Sequence, residues 1–561
     1  MSLIDTRSEQ LFPVLTAAQI AVAQRFADGA PKRFQPGEVL VSVGEHHVPA
    51  FLVLEGQVMI SRHDGAGRQS ELVTHGPGQL TGEIAQLAGR PSLVDAHAGS
   101  AGCEVLSFDA AHLRALIIGA AELGEIIMRA LILRRTAMIA DGGVGSIIVG
   151  EPGKAAVVRL EGFLRRNGYP YSVLDVHADA DGKALVERLR IDQADLPLIL
   201  CPNGTVLKNP TEVAVGACLG ITPDWDADKT FDVAVVGAGP AGLATAVYAA
   251  SEGLSVVILD AQAYGGQAGA SSRIENYLGF PTGISGHALA ARAFIQALKF
   301  GAEIFIPVEA QALDCGGGDR KPGDLLAVKL AGDRVVRSRA VVIASGARYR
   351  RPGIANLDVL EGAGVSYWAS PVEAKLCEGE EVALVGAGNS AGQAVVYLAS
   401  KVKTLHLIVR GRSLEATMSL YLVQRIAALP NVVLHLRTEV TGVIGDAASG
   451  LQGLQLIGRD TGEARSCTTR HLFMFIGADP NTGWLAGCPV LLDAKGFVRT
   501  GEAIGDAPWP QFGRAPFPLE TSVPGVFAIG DVRCGSTKRV AAGVGEGAQV
   551  VASLHQFLNP T

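Results

Sequence analysis

Hydrophobic and polar positions alternate along this chain in more than one rhythm, and each rhythm predicts a different architecture. Up to about Ala140, short alternating runs are punctuated by Gly37, Gly44, Gly56 and Gly78, the spacing expected of an antiparallel jelly roll. Two helical stretches close that segment. In the second, Ile126, Ile127, Leu131 and Leu133, lying between Leu123 and Ile139, suit a helix packed on the roll or on a second subunit. From Ser146 to about Ile221 strand and helix patterns alternate. SIIVG reads as a strand, Lys154 to Asn167 as a helix, YSVLDV as a strand and Gly182 to Arg190 as a helix, and LPLILCPNGTVL is a hairpin turning on Asn203-Gly204. Ile221 to Lys229, with Pro223 and three acids, reads as a linker.

The stretch from Phe231 to Asp260, FDVAVVGAGPAGLATAVYAASEGLSVVILD, carries the densest chemistry. A short apolar strand (Val233 to Val236) runs into Gly237, Gly239 and Gly242, a helix follows, and a second strand ends in Asp260. Gly237 permits the tight turn, Gly239 lets backbone approach a pyrophosphate, and Gly242 allows close helix-to-strand packing. Asp260 can accept from an adenosine ribose hydroxyl, and the phosphates would sit on the helix N-terminus. VALVGAGNSAGQAVVYLA repeats the arrangement with Gly386, Gly388 and Ala391. Two such sites imply two dinucleotide cofactors.

Composition frames these sites. A chain of 561 residues holds about three to five domains. With 48% hydrophobic residues, 18% charged residues and 69 glycines it suits compact α/β units with many turns, not a disordered chain. A net charge of −7 and the lack of a basic run argue against a nucleic-acid partner. MSLIDTRSEQ has no basic stretch leading into an apolar one, and eighteen consecutive apolar residues occur nowhere, so no membrane segment and a cytoplasmic location are expected. The eight cysteines are scattered without a CxxC, so neither a metal site nor a disulfide framework is expected.

Several segments resemble known families. FQPGEVLVSVGE, FLVLEGQVMI and GEIAQLAGRP resemble the cyclic-nucleotide-binding domain, in which a Gly-Glu pair, here Gly82-Glu83, meets the ribose and an arginine pairs with the cyclic phosphate. The arginine position holds Ser92, which removes a charge-assisted contact; Arg90, two residues away, is the candidate substitute. The alternative is a roll that has lost its ligand and serves in packing or dimerisation. The segment from Ser146 resembles thioredoxin or glutaredoxin, with Leu196-Pro197 expected to be cis. The position of that family's redox cysteines reads Gly150-Glu151-Pro152-Gly153-Lys154, so no thiol chemistry is expected there, and Cys201 is expected to be a buried, inert thiol.

Gly265-Gly266-Gln267, Ile274-Glu275-Asn276, ASGA at 344 to 347, IGADPNT at 476 to 482 and VPGVFAIGDV at 523 to 532 resemble the low-molecular-weight thioredoxin reductases over about 330 residues. The resemblance implies FAD in the first dinucleotide site and a nicotinamide dinucleotide in the second. FAD would be held by Gly237, Gly239, Pro240, Ala241, Gly242, Asp260, Gly266, Gln267, Asn276, Val308, Ser345, Gly346, Gly530, Asp531, Lys538, Arg539 and Val540. The nicotinamide dinucleotide would be held by Gly386, Gly388, Asn389, Ser390, Ala391, Arg410, Arg412, Ile476 and Gly477. Asp531 would bind the ribityl chain, and the helix starting near Lys538-Arg539 would aim its positive end at the flavin N1/C2 edge. The expected layout is a multidomain chain of β and α/β units: a jelly roll with helices (1–140), a thioredoxin-like α/β unit (141–224), and an FAD domain (231–347 and 478–561) split around an NAD(P)H domain (348–477). A homodimer is expected.

Departures from that family shape the function. Where thioredoxin reductases carry Cys-Ala-Thr-Cys, this chain has Trp368-Ala369-Ser370-Pro371 after Gly364-Val365-Ser366-Tyr367. Trp368 and Pro371 cannot form a disulfide, and Trp368 would stack on the flavin, shield it, or simply pack. Cys377 and Cys534 remain as weak catalytic candidates, the latter three residues beyond Asp531. Arg410 and Arg412 match part of the family's 2′-phosphate cluster while Glu415 replaces its last arginine, which favours NADPH with NADH as the alternative. The expected function is an FAD-dependent NAD(P)H oxidoreductase that passes hydride from NADPH to flavin and on to an unidentified acceptor: a quinone, a small redox protein or thioredoxin. Two alternatives stay open: a thioredoxin-disulfide reductase with a non-standard cysteine relay, and a nucleotide-sensing flavoprotein with little turnover.

Overall fold

A computed structural model describes residues 3–63, 69–82, 86–87, 89–141, 145–223, 226–271, 273–316, 324–446, 449–505 and 514–559. The alternating N-terminal runs form a five-stranded antiparallel sheet in the order Lys32–Phe34, Asp95–Phe108, Ala50–His63, Gln69–His75, with Val39–Val41 also paired to Asp95–Phe108. The helices Ala110–Gly119, capped by the Asp109 carboxylate, and Ala121–Asp141 follow. Leu123, Ile127 and Leu131 are buried, whereas Ile126 and Leu133 are partly covered. These helices share one apolar core with Leu243, Val247, Ile258, Phe294 and Leu298 of the dinucleotide-binding region, so the N-terminal unit is packed onto it. Each such Leu or Ile contributes about 1.5–3 kcal/mol on burial.

Within 146–221 the strands run Tyr171–Asp175, Ser146–Gly150, Leu198–Leu200, Val206–Lys208, the first pair parallel and the others antiparallel. The hairpin turns at Gly204 with φ +82, the Asn203 side chain accepting from the Thr205 N–H at 3.1 Å. The Leu196-Pro197 bond is cis. The expectation of a free Cys201 and of a chain without disulfides is corrected: Cys201, although 1% exposed, is bonded to Cys218. The strand before Cys201 and the helix Glu212–Cys218 fold against each other, and that contact is invisible in scattered cysteine spacings. The described parts of the linker hold no helix or strand, and Thr222 is anchored through its hydroxyl to the Ile306 carbonyl.

The glycine-rich strand–turn–helix units sit in two separate sheets. Glu303–Phe305, Val256–Leu259, Thr230–Val236 and Val335–Ile343 run parallel in that order. Leu326–Leu330 and Ala310–Asp314 extend the sheet antiparallel. A strand from near the C-terminus, Val526–Ala528, pairs in parallel with Val335–Ile343. The second sheet is parallel throughout, in the order Val365–Ser366, His471–Met474, Glu381–Val385, Thr404–Val409, Val432–Leu436. A ribbon of Ala347–Tyr349 and Ala478–Pro480 joins the two regions. Among the described residues no helix is long and apolar enough to cross a membrane.

Candidate functional site

The strand Thr230–Val236 runs into Gly237, whose φ is +117, and the helix Pro240–Ser251 starts three residues later. A side chain on Gly237 would collide with the Ala344 carbonyl, and one on Gly242 with the Gly237 carbonyl, so close approach excludes a Cβ at both. Gly239 differs: no atom lies within 4 Å of where its Cβ would stand. The helix's first N–H groups, which have no intrahelical partner, face that open space. This cradle fits a pyrophosphate.

That space belongs to a cavity of about 2490 Å³, well beyond the ~300–1000 Å³ of a typical single-ligand pocket. Its walls bring together Gly237, Gly239, Pro240, Ala241, Asp260, Gly266, Gln267, Asn276, Val308, Ser345, Gly346, Gly530, Asp531, Lys538, Arg539 and Val540. Gly242 lies beneath them as a buried packing residue. Asp260 accepts from the Ala238 N–H at 2.8 Å through one oxygen and from Gln262 and Ala263 through the other, which leaves acceptor capacity for a hydroxyl. Gln267 donates to the Ala347 carbonyl, and the Ser345 hydroxyl to the Asn481 carbonyl at 2.8 Å. Burial pushes the Asp531 carboxyl above its ordinary pKa, and the Lys538 ammonium donates to the Asp531 backbone carbonyl. Arg539 is the N-cap of the helix Val540–Leu558, which therefore begins at the cavity wall.

The second glycine turn is only partly at this cavity. Asn389 and Ser390 line it, at the start of the helix Asn389–Ala399, and the Asn389 amide oxygen accepts from the Ser419 N–H at 2.7 Å. Gly386 (φ +153), Gly388 and Ala391 shape the turn without lining the cavity. Arg410 and Arg412 are exposed just beyond the strand Thr404–Val409, Ile476 packs into the core beside Met474, and the Gly477 carbonyl accepts from Arg350.

Trp368 and Pro371 face the cavity shared with the first site. The Trp368 indole N–H donates to Glu373 at 2.9 Å, and the other Glu373 oxygen accepts from both the backbone and the hydroxyl of Ser370. A capped helix, Pro371–Leu376, thus survives where the dithiol is missing. Neither cysteine candidate lines the cavity. Cys377 is 0% exposed, and burial pushes its thiol up to about 11. Cys534 is a free thiol pushed up by burial and by the Asp493 carboxylate, and it does not line the cavity.

One wall was not foreseen. The helix Ala155–Arg166 of the middle segment lines the cavity, Arg166 donating to the Gln262 side chain at 3.1 Å and Asn167 to the Gln262 carbonyl at 3.0 Å. At its other end Gly153 lies against Leu376, and Ala155 against Gly362. The start of that helix and the stretch Trp368 to Pro371 therefore border the same cavity.

In the N-terminal unit, Glu83 lies outside the described residues. The Ser92 hydroxyl donates to the Val94 carbonyl at 2.7 Å. Arg90, the candidate substitute, is 9% exposed with its guanidinium 5.4 Å from the Phe294 ring of the neighbouring helix Gly286–Lys299. Arg134, not singled out in the sequence, donates to the carbonyls of Leu11, Leu80 and Gly82. Burial lowers its pKa to about 10.

Comparison with known proteins agrees with this geometry. Residues 31–118 match the cyclic nucleotide-binding domain. NADPH-dependent thioredoxin reductase 3 of Arabidopsis thaliana is 30% identical over 332 residues, 58% of this chain and 58% of that protein. An NADH dehydrogenase of Ferdinandcohnia aciditolerans is 31% identical over 345 residues, 61% of each chain. The chain thus spans about three-fifths of the length of these curated relatives. The crystal structure of T. acidophilum thioredoxin reductase, 30% identical, superposes with a TM-score of 0.51 over 59% of this chain and 99% of that one. Residues 231–547, more than half of the chain, match the pyridine nucleotide-disulphide oxidoreductase profile. The chain therefore belongs to the pyridine nucleotide-disulphide oxidoreductase family, whose members work with FAD and a pyridine nucleotide.

Proposed function

We propose that this chain is an FAD-dependent NAD(P)H oxidoreductase that delivers electrons from flavin directly to an acceptor other than a protein disulfide. The observation that carries the reading is a single cavity reached by both glycine-turn helices and walled by Trp368 and Pro371 in place of a dithiol. Bound FAD would supply the redox chemistry, taking hydride at N5 from nicotinamide C4. The chain's part is to bind, orient and exclude. Gly237, Gly239 and the helix Pro240–Ser251 hold the pyrophosphate, Asp260 the adenosine ribose, and Asp531 the ribityl chain. The N-terminus of Val540–Leu558, at the cavity wall, would supply positive charge where reduced flavin is negative. Trp368, fixed by Glu373, shields the face where thiols would stand. Residues 231–347 with 478–561 form the FAD domain, 348–477 the NAD(P)H domain, 1–140 a jelly roll and 141–224 a thioredoxin-like unit, in a cytoplasmic homodimer. Anaerobic NADPH should bleach the flavin absorbance, and a quinone should restore it; flavin that stays oxidised under NADPH and NADH alike overturns the reading.

NADPH is the preferred donor because Arg410 and Arg412 stand exposed beyond the strand Thr404–Val409, the one reached after the helix that the second glycine turn opens. A charge-assisted contact to a 2′-phosphate is worth about 1.5–3 kcal/mol, or roughly ten- to a hundred-fold. Arg410→Ala should raise KM for NADPH by that factor and leave KM for NADH unchanged. Equal effects on the two donors count against the assignment.

Cyclic AMP is expected to bind the N-terminal unit weakly or not at all. Ser92 offers no charge, and Arg90 is engaged with Phe294 on the neighbouring helix. The missing pair lowers affinity by roughly ten- to a hundred-fold. Submicromolar binding by calorimetry overturns this.

A further inference from the structure

Two cysteines 173 positions apart meet at the far edge of the first dinucleotide sheet. The Cys315 and Cys488 sulfurs are 2.7 Å apart, close to a covalent S–S distance of about 2.05 Å. Cys315 follows the strand Ala310–Asp314 and is 6% exposed, in a cluster with Trp484, Leu485, Val490 and Val523. Cys488 is half-buried on the loop after the turn Gly483–Leu485, its N–H bonded to the Leu485 carbonyl at 3.0 Å. Neither lines the large cavity. Among the described residues no cluster of three or more His, Cys, Asp or Glu surrounds them as a metal site would require.

We propose that Cys315 and Cys488 form a reversible dithiol–disulfide couple, a redox site separate from the position of the missing CxxC. The asymmetry of exposure assigns the roles. Cys488 meets solvent, and its hydrogen bond with Cys315 lowers its thiol below the usual range, so it is the sulfur that attacks. Cys315, shielded and in contact, resolves. With glutathione disulfide as oxidant, the Cys488 thiolate displaces one glutathione thiolate and leaves a mixed disulfide. Cys315 then gives up its proton and attacks the Cys488 sulfur, displacing the second glutathione thiolate. The protein loses two protons and two electrons, and glutathione disulfide gains both to become two glutathiones. The closed bond ties the end of the strand Ala310–Asp314 to the turn carrying Trp484, whose side chain reaches the cavity wall.

The test is site-resolved mass spectrometry of the full chain, treated with dithiothreitol or with glutathione disulfide and then alkylated under denaturing conditions. The expected result is a cross-linked peptide containing Cys315 and Cys488 after oxidation. Dithiothreitol should reverse it, and Cys488→Ser, with FAD content checked in parallel, should abolish it. The Cys201–Cys218 peptides are distinguished by mass. Two alkylated thiols after oxidation, or a glutathione adduct on Cys488 with Cys315 still alkylated, overturns the proposal, and both outcomes are read on the wild-type chain.

Discussion

Thioredoxin supplied with NADPH and this chain is expected to be reduced no faster than by free reduced flavin, while a quinone is turned over. Reducing a protein disulfide requires one thiolate to attack and a second thiol to resolve the mixed disulfide. Trp368 and Pro371 supply neither, and the Glu373 carboxylate holds Trp368 in that place. Cys377 is sealed and its thiolate disfavoured. Cys534 is held protonated beside Asp493. The middle segment has no cysteine from Glu151 to Lys154, where its first helix borders the cavity. The Cys315 and Cys488 pair stands away from the cavity walls. Thioredoxin turnover by wild type and by the Cys377→Ser, Cys488→Ser and Cys534→Ser variants decides the matter. Robust reduction that any one substitution abolishes would restore a disulfide relay and end the direct-transfer reading.

Replacing Gly239 with leucine is expected to empty the first site of FAD without unfolding the chain. The backbone there has φ −71 and ψ −179, which any residue adopts, and a Cβ meets nothing within 4 Å. The side chain would project into the space reserved for the pyrophosphate. Losing about two charge-assisted hydrogen bonds at about 1.5–3 kcal/mol each weakens FAD roughly 10²- to 10⁴-fold. Gly237→Leu is the contrasting control. Its φ of +117 and the Ala344 carbonyl behind it cost about 1–3 kcal/mol of strain and a similar amount of overpacking, so that variant should lose thermal stability as well as flavin. Flavin fluorescence titration with thermal melts separates the two. Wild-type FAD affinity in Gly239→Leu would remove the pyrophosphate assignment.

Features set by neighbours in the chain were legible before the fold was known. The glycine spacing at 237, 239 and 242 dictates a strand, a turn and a helix, because each position answers to a local backbone constraint. Asn203-Gly204 likewise places its own hairpin. Features set by distant partners were not legible. The Cys201–Cys218 bond and the Cys315 and Cys488 contact depend on which elements pack together, and cysteine spacing carries no trace of that. Position in a motif makes Arg90 a candidate phosphate ligand, whereas its guanidinium stands over Phe294, a partner about two hundred residues away that no motif shows. Arg134 is one arginine among many in an apolar helix until three carbonyls from two separate segments converge on it.

The helix Ala155–Arg166 is held to Gln262 at its C-terminal end, and its N-terminal end borders the cavity that Leu376 also lines. Any swing of the second sheet about the Ala347–Tyr349 and Ala478–Pro480 ribbon has to carry this helix along or release it. Releasing it from the first sheet breaks the Arg166 and Asn167 hydrogen bonds, at about 0.5–1.5 kcal/mol each. The side chains of Arg166 and Asn167 thus tie the middle segment to the first dinucleotide region through residues that stand apart from both glycine turns.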